Sequence, residues 1–173
     1  MKLSPIKILV CGFLAASGMV ALSAQAVTCQ NNLVPSNPDE VYVDHSDGTV
    51  TDTRTGLMWK QCVEGLSGND CTVGIAQFHS WPSALNEAES SNFAGYNDWR
   101  LPNIKELVSL VEECKSWPAI NDKLFPSTPN AQVWSGSPDT HSVSTWYADF
   151  LHGTSNTTGR NIGGHVRLIR DLQ

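Results

Sequence analysis

The sequence predicts an α+β domain, and three observations predict it. Short β-prone runs separated by turn residues fill positions 41–60. Two stretches with apolar residues at helical spacing follow, over 78–93 and 103–113. Three more β-prone runs, 131–135, 145–151 and 164–170, close the chain. No internal repeat or linker is visible, so one domain accounts for everything after the first 26 residues.

Those first 26 residues read as an export signal. Lys2 and Lys7 form a positive start, residues 8–22 an apolar stretch, and Ala24-Gln25-Ala26 a small-residue cleavage site. The apolar run is shorter than the roughly 20 residues a bilayer span needs. The expected mature domain is 27–173, exported to the periplasm or cell surface, with no membrane span. The formal charge of −6 becomes about −8 once the two lysines leave. An acidic exported domain is a poor binder of nucleic acid or anionic lipid through bulk charge. A local basic patch is still expected from Arg160, His165, Arg167 and Arg170.

Five cysteines become four when Cys11 leaves with the signal. An even number in an exported chain favours disulfides, with three pairings open. Cys62–Cys71 would close the polar loop between them, leaving Cys29–Cys114 to tie the start of the domain to its centre. Zinc spacing of the C-x₂₋₄-C kind is absent.

Taken in order, residues 27–40 are a polar lead. Val41–Tyr42–Val43, then Thr49 to Asp52, flank the hairpin signal Asp47-Gly48. Thr53 to Gly56 turns the chain into Leu57-Met58-Trp59-Lys60. Asp44, Asp47 and Asp52 raise the question of calcium, but the EF-hand spacing is missing and turn-forming Asp explains them; no metal or other cofactor is expected. In the first helix, Trp81, Ala84, Leu85 and Ala88 share a face, Ser80 caps and Pro82 sits in the first turn. Trp99, Arg100 and Pro102 form a structural anchor ahead of the second helix: Trp99 packs, Arg100 offers a planar fork of donors, and Pro102-Asn103 starts and caps. Leu101, Ile104, Leu107, Val108 and Val111 follow at helical spacing. Trp59, Trp99, Trp134 and Trp146 sit in apolar contexts and are expected in the core. Two stretches rich in Ser, Thr, Gly, Asn and His, 136–144 and 152–163, are expected to be loops, where binding residues concentrate.

Several of these segments together carry a resemblance. Thr51 through Trp59, Gly95 through Leu107, Val133-Trp134-Ser135-Gly136-Ser137, Thr145 through Phe150 and Val166 through Arg170 resemble, in this order, the C-terminal domain of the Legionella collagen-like adhesin. That resemblance spans about residues 41–171. It implies an exported adhesin-type binding domain, a family associated with sulfated glycans and with self-association. The chain lacks the Gly-X-Y stalk and is acidic. The Trp-Arg-Leu-Pro segment is also similar, more loosely, to formylglycine-generating enzymes and their C-type-lectin-like relatives. This second resemblance implies two helices flanking small, twisted antiparallel sheets with long loops. The associated thiol and metal chemistry is not carried over, because the cysteines read as disulfides.

No nucleophile sits beside a base, His45, His79, His141, His152 and His165 lack metal spacing, and no phosphate-cradling loop is present. The chain is therefore expected to be a non-enzymatic binding module for a glycan or surface protein, with Asp139, His141, Asn156, Arg160 and Asn161 as contacts. The alternative is a structural or assembly subunit, with homo-oligomers as its signature. An enzyme on the same scaffold ranks below both.

Overall fold

The structure is a computed structural model and describes Cys29 and residues 33–140 and 143–172. The expected export signal, Cys11 and His141 lie outside the described residues. In chain order the strands and helices are β1 (Tyr42–Asp44), β2 (Thr49–Asp52), β3 (Leu57–Lys60), β4 (Leu66–Ser67), β5 (Val73–Gly74), α1 (Trp81–Ser90), α2 (Ile104–Val108), β6 (Gln132–Pro138), β7 (Ser144–Asp149), β8 (Thr154–Gly159) and β9 (Ile169–Asp171). A four-stranded antiparallel sheet runs β1-β2-β3-β9, a three-stranded one β6-β7-β8, and β4-β5 is a small hairpin. The expected mixed class of small antiparallel sheets with few helices holds.

Strand alternation divides the interior in two. Trp59, Val133 and Ile169 point into one cluster with Leu107, Leu110, Ile120, Phe125, Ala148 and Phe150. Their neighbours Met58, Trp134 and Leu168 point the other way, into a cluster with Ala84 and Ala88 of α1, Trp99 and Leu101. This two-sided burial is why β3 is the uninterrupted run Leu57-Met58-Trp59-Lys60, buried at every position. Trp59, Trp99 and Trp134 are core residues as expected, whereas Trp146 is only half-buried.

The helices are shorter than their apolar periodicity. Ser80 caps α1 and Pro82 lies in its first turn, as expected. Residues 78–80 are instead extended, because His79 exchanges backbone hydrogen bonds with Gly164. Leu85 is partly exposed and leaves the buried face to Ala84 and Ala88. Asn103 and Glu106 form a capping box at the start of α2. The helix stops at Val108 rather than 113: the Ser109 hydroxyl donates back to the Glu106 carbonyl (2.7 Å), and Val111 pairs with Ile120 instead. Of 164–170, only Ile169 and Arg170 are in strand, while Gly164 and His165 bridge to neighbouring segments.

The anchor segment joins all these parts. Arg100 exchanges backbone hydrogen bonds with Ile169 (2.9 and 3.0 Å). Its guanidinium grips Glu106 of α2 (2.8 Å) and Asp171 of β9 (3.0 Å). The Pro102 carbonyl accepts from Gly136 N–H (2.7 Å), and Trp99 Nε1 donates to the Phe93 carbonyl (3.1 Å).

The expected basic patch does not form, because its members turn inward. Arg170 is buried against Tyr96 and forks onto Asp98 (2.7 and 3.1 Å). His165 is buried and Arg160 lies over the Trp81 ring. Arg167 is wholly buried. It donates to the carbonyls of Lys60 (3.1 Å) and Gln61 and to the Thr128 hydroxyl (2.7 Å), with its guanidinium over the Phe125 ring. Burial lowers its pKa to about 9, against the pull of Glu64, so it stays charged at neutral pH.

The cysteines pair as Cys62–Cys71 and Cys29–Cys114, the expected arrangement. Beside the second bridge, buried Glu112 accepts from Ser36 N–H and hydroxyl (2.9 Å each) and Asn37 N–H (2.8 Å), fastening the polar lead to the core. Burial works against its ionisation, but the donors of Ser36, Asn37 and Cys114 outweigh burial and hold its pKa below the ordinary value.

Two predictions follow from these buried charges. Arg167→Met should lower the unfolding free energy in urea by about 3 kcal/mol, because two carbonyls lose their donor, and Arg167→Lys should not restore it. A loss under about 1 kcal/mol would show the fork to be dispensable. Glu112→Gln should cost about 1–3 kcal/mol at neutral pH. A depressed folded pKa gives stability that is present above the unfolded value of 4.5 and lost as pH falls through the folded one. The gap in thermal midpoint between the two proteins should therefore narrow between about pH 5 and pH 3.

Candidate binding site

The stretch 152–163 is not a loop. Residues 154–159 are edge strand β8, paired along its length with β7, and 136–138 belong to β6. Hydroxyl-rich β8 has no apolar alternation because neither of its faces enters the core, so only its pairing with β7 makes it a strand. Asp139 and Arg160 meet at one end of this sheet, where Asp139 N–H (3.1 Å) and Arg160 Nε (3.3 Å) both donate to the Ser144 carbonyl. Arg160 also stacks on Trp81 (4.7 Å) and accepts Trp81 N–H at its carbonyl (2.9 Å), so its ring contact, its Nε and its backbone all serve the fold. Asn161 is exposed just beyond. Asn156 lies mid-strand opposite Tyr147, and its Oδ1 takes the Thr157 N–H (2.8 Å). Arg160 N–H turns in to Val143, so by alternation the Thr157 N–H faces the open edge, and Asn156 blunts it. These residues share a surface without enclosing a ligand.

A concave site lies elsewhere. A cleft of about 500 Å³ opens between the β1–β2 turn, the end of β3, the Cys62–Cys71 loop and Phe93. Each wall has a local cause. Asp44 Oδ1 accepts Ser46 N–H (2.7 Å), and Asp47 Oδ1 accepts the N–H (2.9 Å) and hydroxyl (2.6 Å) of Thr49. Both aspartates are thus turn formers, as expected, and each keeps a second oxygen, Asp47 at the cleft and Asp44 at a small recess beside it. Gly48 has φ +86°, and a side chain there would come within 2.8 Å of the Phe93 ring. Phe93 is set in place by paired backbone bonds with Tyr96 and by Trp99 Nε1 on its carbonyl. The far wall is the Cys62–Cys71 loop, pinned by Ser127 Oγ on the Asp70 carbonyl (2.8 Å).

The electrostatics of this cleft are one-sided. Its cation, Lys60, is buried, bonded to both Glu64 oxygens (2.7 and 2.9 Å) and placed 4.6 Å from the centre of the Phe93 ring. Gln61 is 7% exposed; its N–H goes to Gly48 and its carbonyl to Arg167. Its carboxamide lines both the cleft and a smaller adjoining recess of about 110 Å³, and hydrogen-bonds to no described residue. Although the residue is nearly buried, its amide atoms are not sealed in: the buried side-chain atoms without a partner among the described residues are Trp59 Nε1, His79 Nε2 and Arg167 Nε, so the Gln61 carboxamide stays open to the cleft.

A second cavity, about 560 Å³, lies by the polar lead. Most of its charges are consumed internally: Lys115 pairs with Asp122, Lys123 with Asp39, and Glu112 with the donors of Ser36 and Asn37, while Glu40 lies exposed at its edge. Cys29, Glu112 and Cys114 come together there, but both sulfurs are in the disulfide and Glu112 accepts protein hydrogens. The sequence reading missed the 500 Å³ cleft because its residues come from three separated segments, and Gln61 by itself has no local signature.

The sequence matches the family described as Lcl C-terminal domain over residues 48–170. The chain belongs to the Lcl C-terminal domain family. No curated protein matches it. The resemblance to the collagen-like adhesin's C-terminal domain is therefore sound, and the protein carries an adhesin-associated domain. Two disulfides accord with export, and no helix among the described residues is long and apolar enough to cross a membrane. The span matched to the Lcl C-terminal domain contains Gly48, Gln61, the Cys62–Cys71 loop and Phe93; Asp44, Ser46 and Asp47 precede it.

Cys62→Ser with Cys71→Ser should cost about 2–3 kcal/mol of stability, the closure entropy of so short a loop. Amide exchange should quicken mainly across 62–74 and leave β6–β8 unchanged. Equal acceleration in both sheets would show that the bridge supports the whole fold rather than the cleft wall.

Proposed function

We propose that this domain is an exported, non-enzymatic binding module that recognises a glycan, and that the cleft beside Phe93 is where it does so. The observation that carries the reading is Gln61, a nearly buried residue whose carboxamide has no hydrogen-bond partner among the described residues and stays open to a cavity of ligand size. Phe93 and Leu66 offer apolar wall, while Ser46, Ser67, Asn69 and Gln61 offer hydroxyls and amides. That mixture suits a sugar, which presents an apolar ring edge and many hydroxyls. With this reading goes a C-type-lectin-like arrangement, supported by two helices set among small antiparallel sheets.

The surface at Asp139, Asn156 and Asn161 is a second reading, favoured by the exposure of Asn156 and Asn161 beside an uncharged hydroxyl-rich strand. His141 belongs to that reading by sequence position. A third reading, an assembly subunit forming homo-oligomers, draws on the open edge of β8. A glycan array on the oxidised domain separates them. The expected result is binding to one glycan class that drops at least about tenfold in Gln61→Ala/Asn69→Ala, with an unchanged thermal midpoint and full binding in Asn156→Ala/Asn161→Ala. Loss confined to the second variant would move the site to β8. A blank array on folded protein would favour a protein partner or assembly.

A further inference from the structure

Resting on the glycan reading of the cleft, we infer that its ligand is an uncharged sugar bearing an acetamido group, rather than a sulfated or uronic one. Charge excludes the anions first. A sulfate needs a free cation or a set of convergent donors, and Lys60 is committed to both oxygens of Glu64 and to the Phe93 ring. The rim adds Asp47, and the adjoining recess Asp44, each with a carboxylate oxygen left over after its turn hydrogen bonds. An anionic sugar would meet two negative charges and no available positive one. Uncharged sugars meet no such penalty.

Gln61 then selects among uncharged sugars. Its carboxamide supplies one acceptor and two donors on a rigid plane, which matches the N–H and C=O of another amide in a paired, two-bond contact. Because the residue is nearly buried while its amide atoms stay accessible, the orientation of the carboxamide is narrowed before the ligand arrives, and a ligand that meets both its N–H and its C=O replaces solvent on both groups at once. Leu66 and Phe93 in the same cavity give the methyl of an acetamido group an apolar surface. A plain glucan has hydroxyls for Gln61 but neither the matching amide nor the methyl.

Isothermal titration of the whole oxidised domain tests this with three probes: an N-acetylglucosamine trimer, a glucose trimer of the same linkage, and a heparin-derived tetrasaccharide. The acetylated trimer is expected to bind about tenfold tighter than the glucose trimer, with an affinity indifferent to salt between about 50 and 500 mM. In Gln61→Ala that preference should collapse to about twofold or less, with the thermal midpoint retained. Gln61→Glu, which keeps the shape but only accepts, should lose it as well. Heparin tetrasaccharide binding tighter than either, and weakening with salt, overturns the charge argument. Equal binding of both uncharged trimers, weakened alike by Gln61→Ala, overturns the acetamido assignment while leaving the cleft as the glycan site. Binding of the trimers untouched by either Gln61 variant overturns the cleft reading itself.

Discussion

The buried guanidinium of Arg167 is the interaction on which the architecture most depends. It sits in the segment leading into β9, yet it donates to the carbonyls at the end of β3 and to Thr128 in the chain before β6. One planar fork thereby ties the Thr128 stretch to the seam between the 60–64 and 166–168 segments, which the Lys60 and Glu64 N–H groups already join by donating to the Leu168 and Val166 carbonyls. Such a group is expensive to bury, and the cost is offset only because carbonyls, a hydroxyl and the Phe125 face converge on it. The same contact has a functional consequence. By holding the Lys60 and Gln61 carbonyls inward, it fixes the backbone from which the Gln61 side chain enters the cleft.

Inward use of basic residues recurs through the molecule. Arg54 is spent on Asp52, Arg100 on Glu106 and Asp171, and Arg170 on Asp98, while Arg160 lies over Trp81. An acidic chain that invests its arginines in the fold has little positive charge left to present. The lack of an available cation at the cleft and the hydroxyl-rich character of β8 accord with that investment. Within the adhesin-associated family this favours recognition by shape and hydrogen bonding over attraction of a polyanion.

What was legible in the sequence was whatever has a local cause. Ser80 and Asn103 cap where their side chains predict, Asp47-Gly48 turns the first hairpin, and the cysteines pair as expected. What was not legible depends on distant partners. The periodicity of the second helix continues to Val111, but Glu112 is taken by Ser36 and Asn37, and Val111 by Ile120. β8 has no strand signature of its own and exists because β7 offers it an edge. Arg160, Arg167 and Arg170 look like a basic cluster in the sequence, and each is taken up by a different set of partners. The cleft is the clearest case, since Gly48, Gln61 and Phe93 become neighbours only after the β1–β3 strands and the Trp99 anchor are in place.

The central claim is that recognition belongs to this cleft and not to the β6–β8 surface. Amide chemical-shift mapping of labelled domain titrated with the N-acetylglucosamine trimer tests it most directly. The account predicts perturbations at Ser46 to Gly48, Gln61, Ser67 to Asn69 and Phe93, including the side-chain amide of Gln61. Perturbations confined to Asn156, Arg160 and Asn161, with the Gln61 amide unmoved, would contradict it.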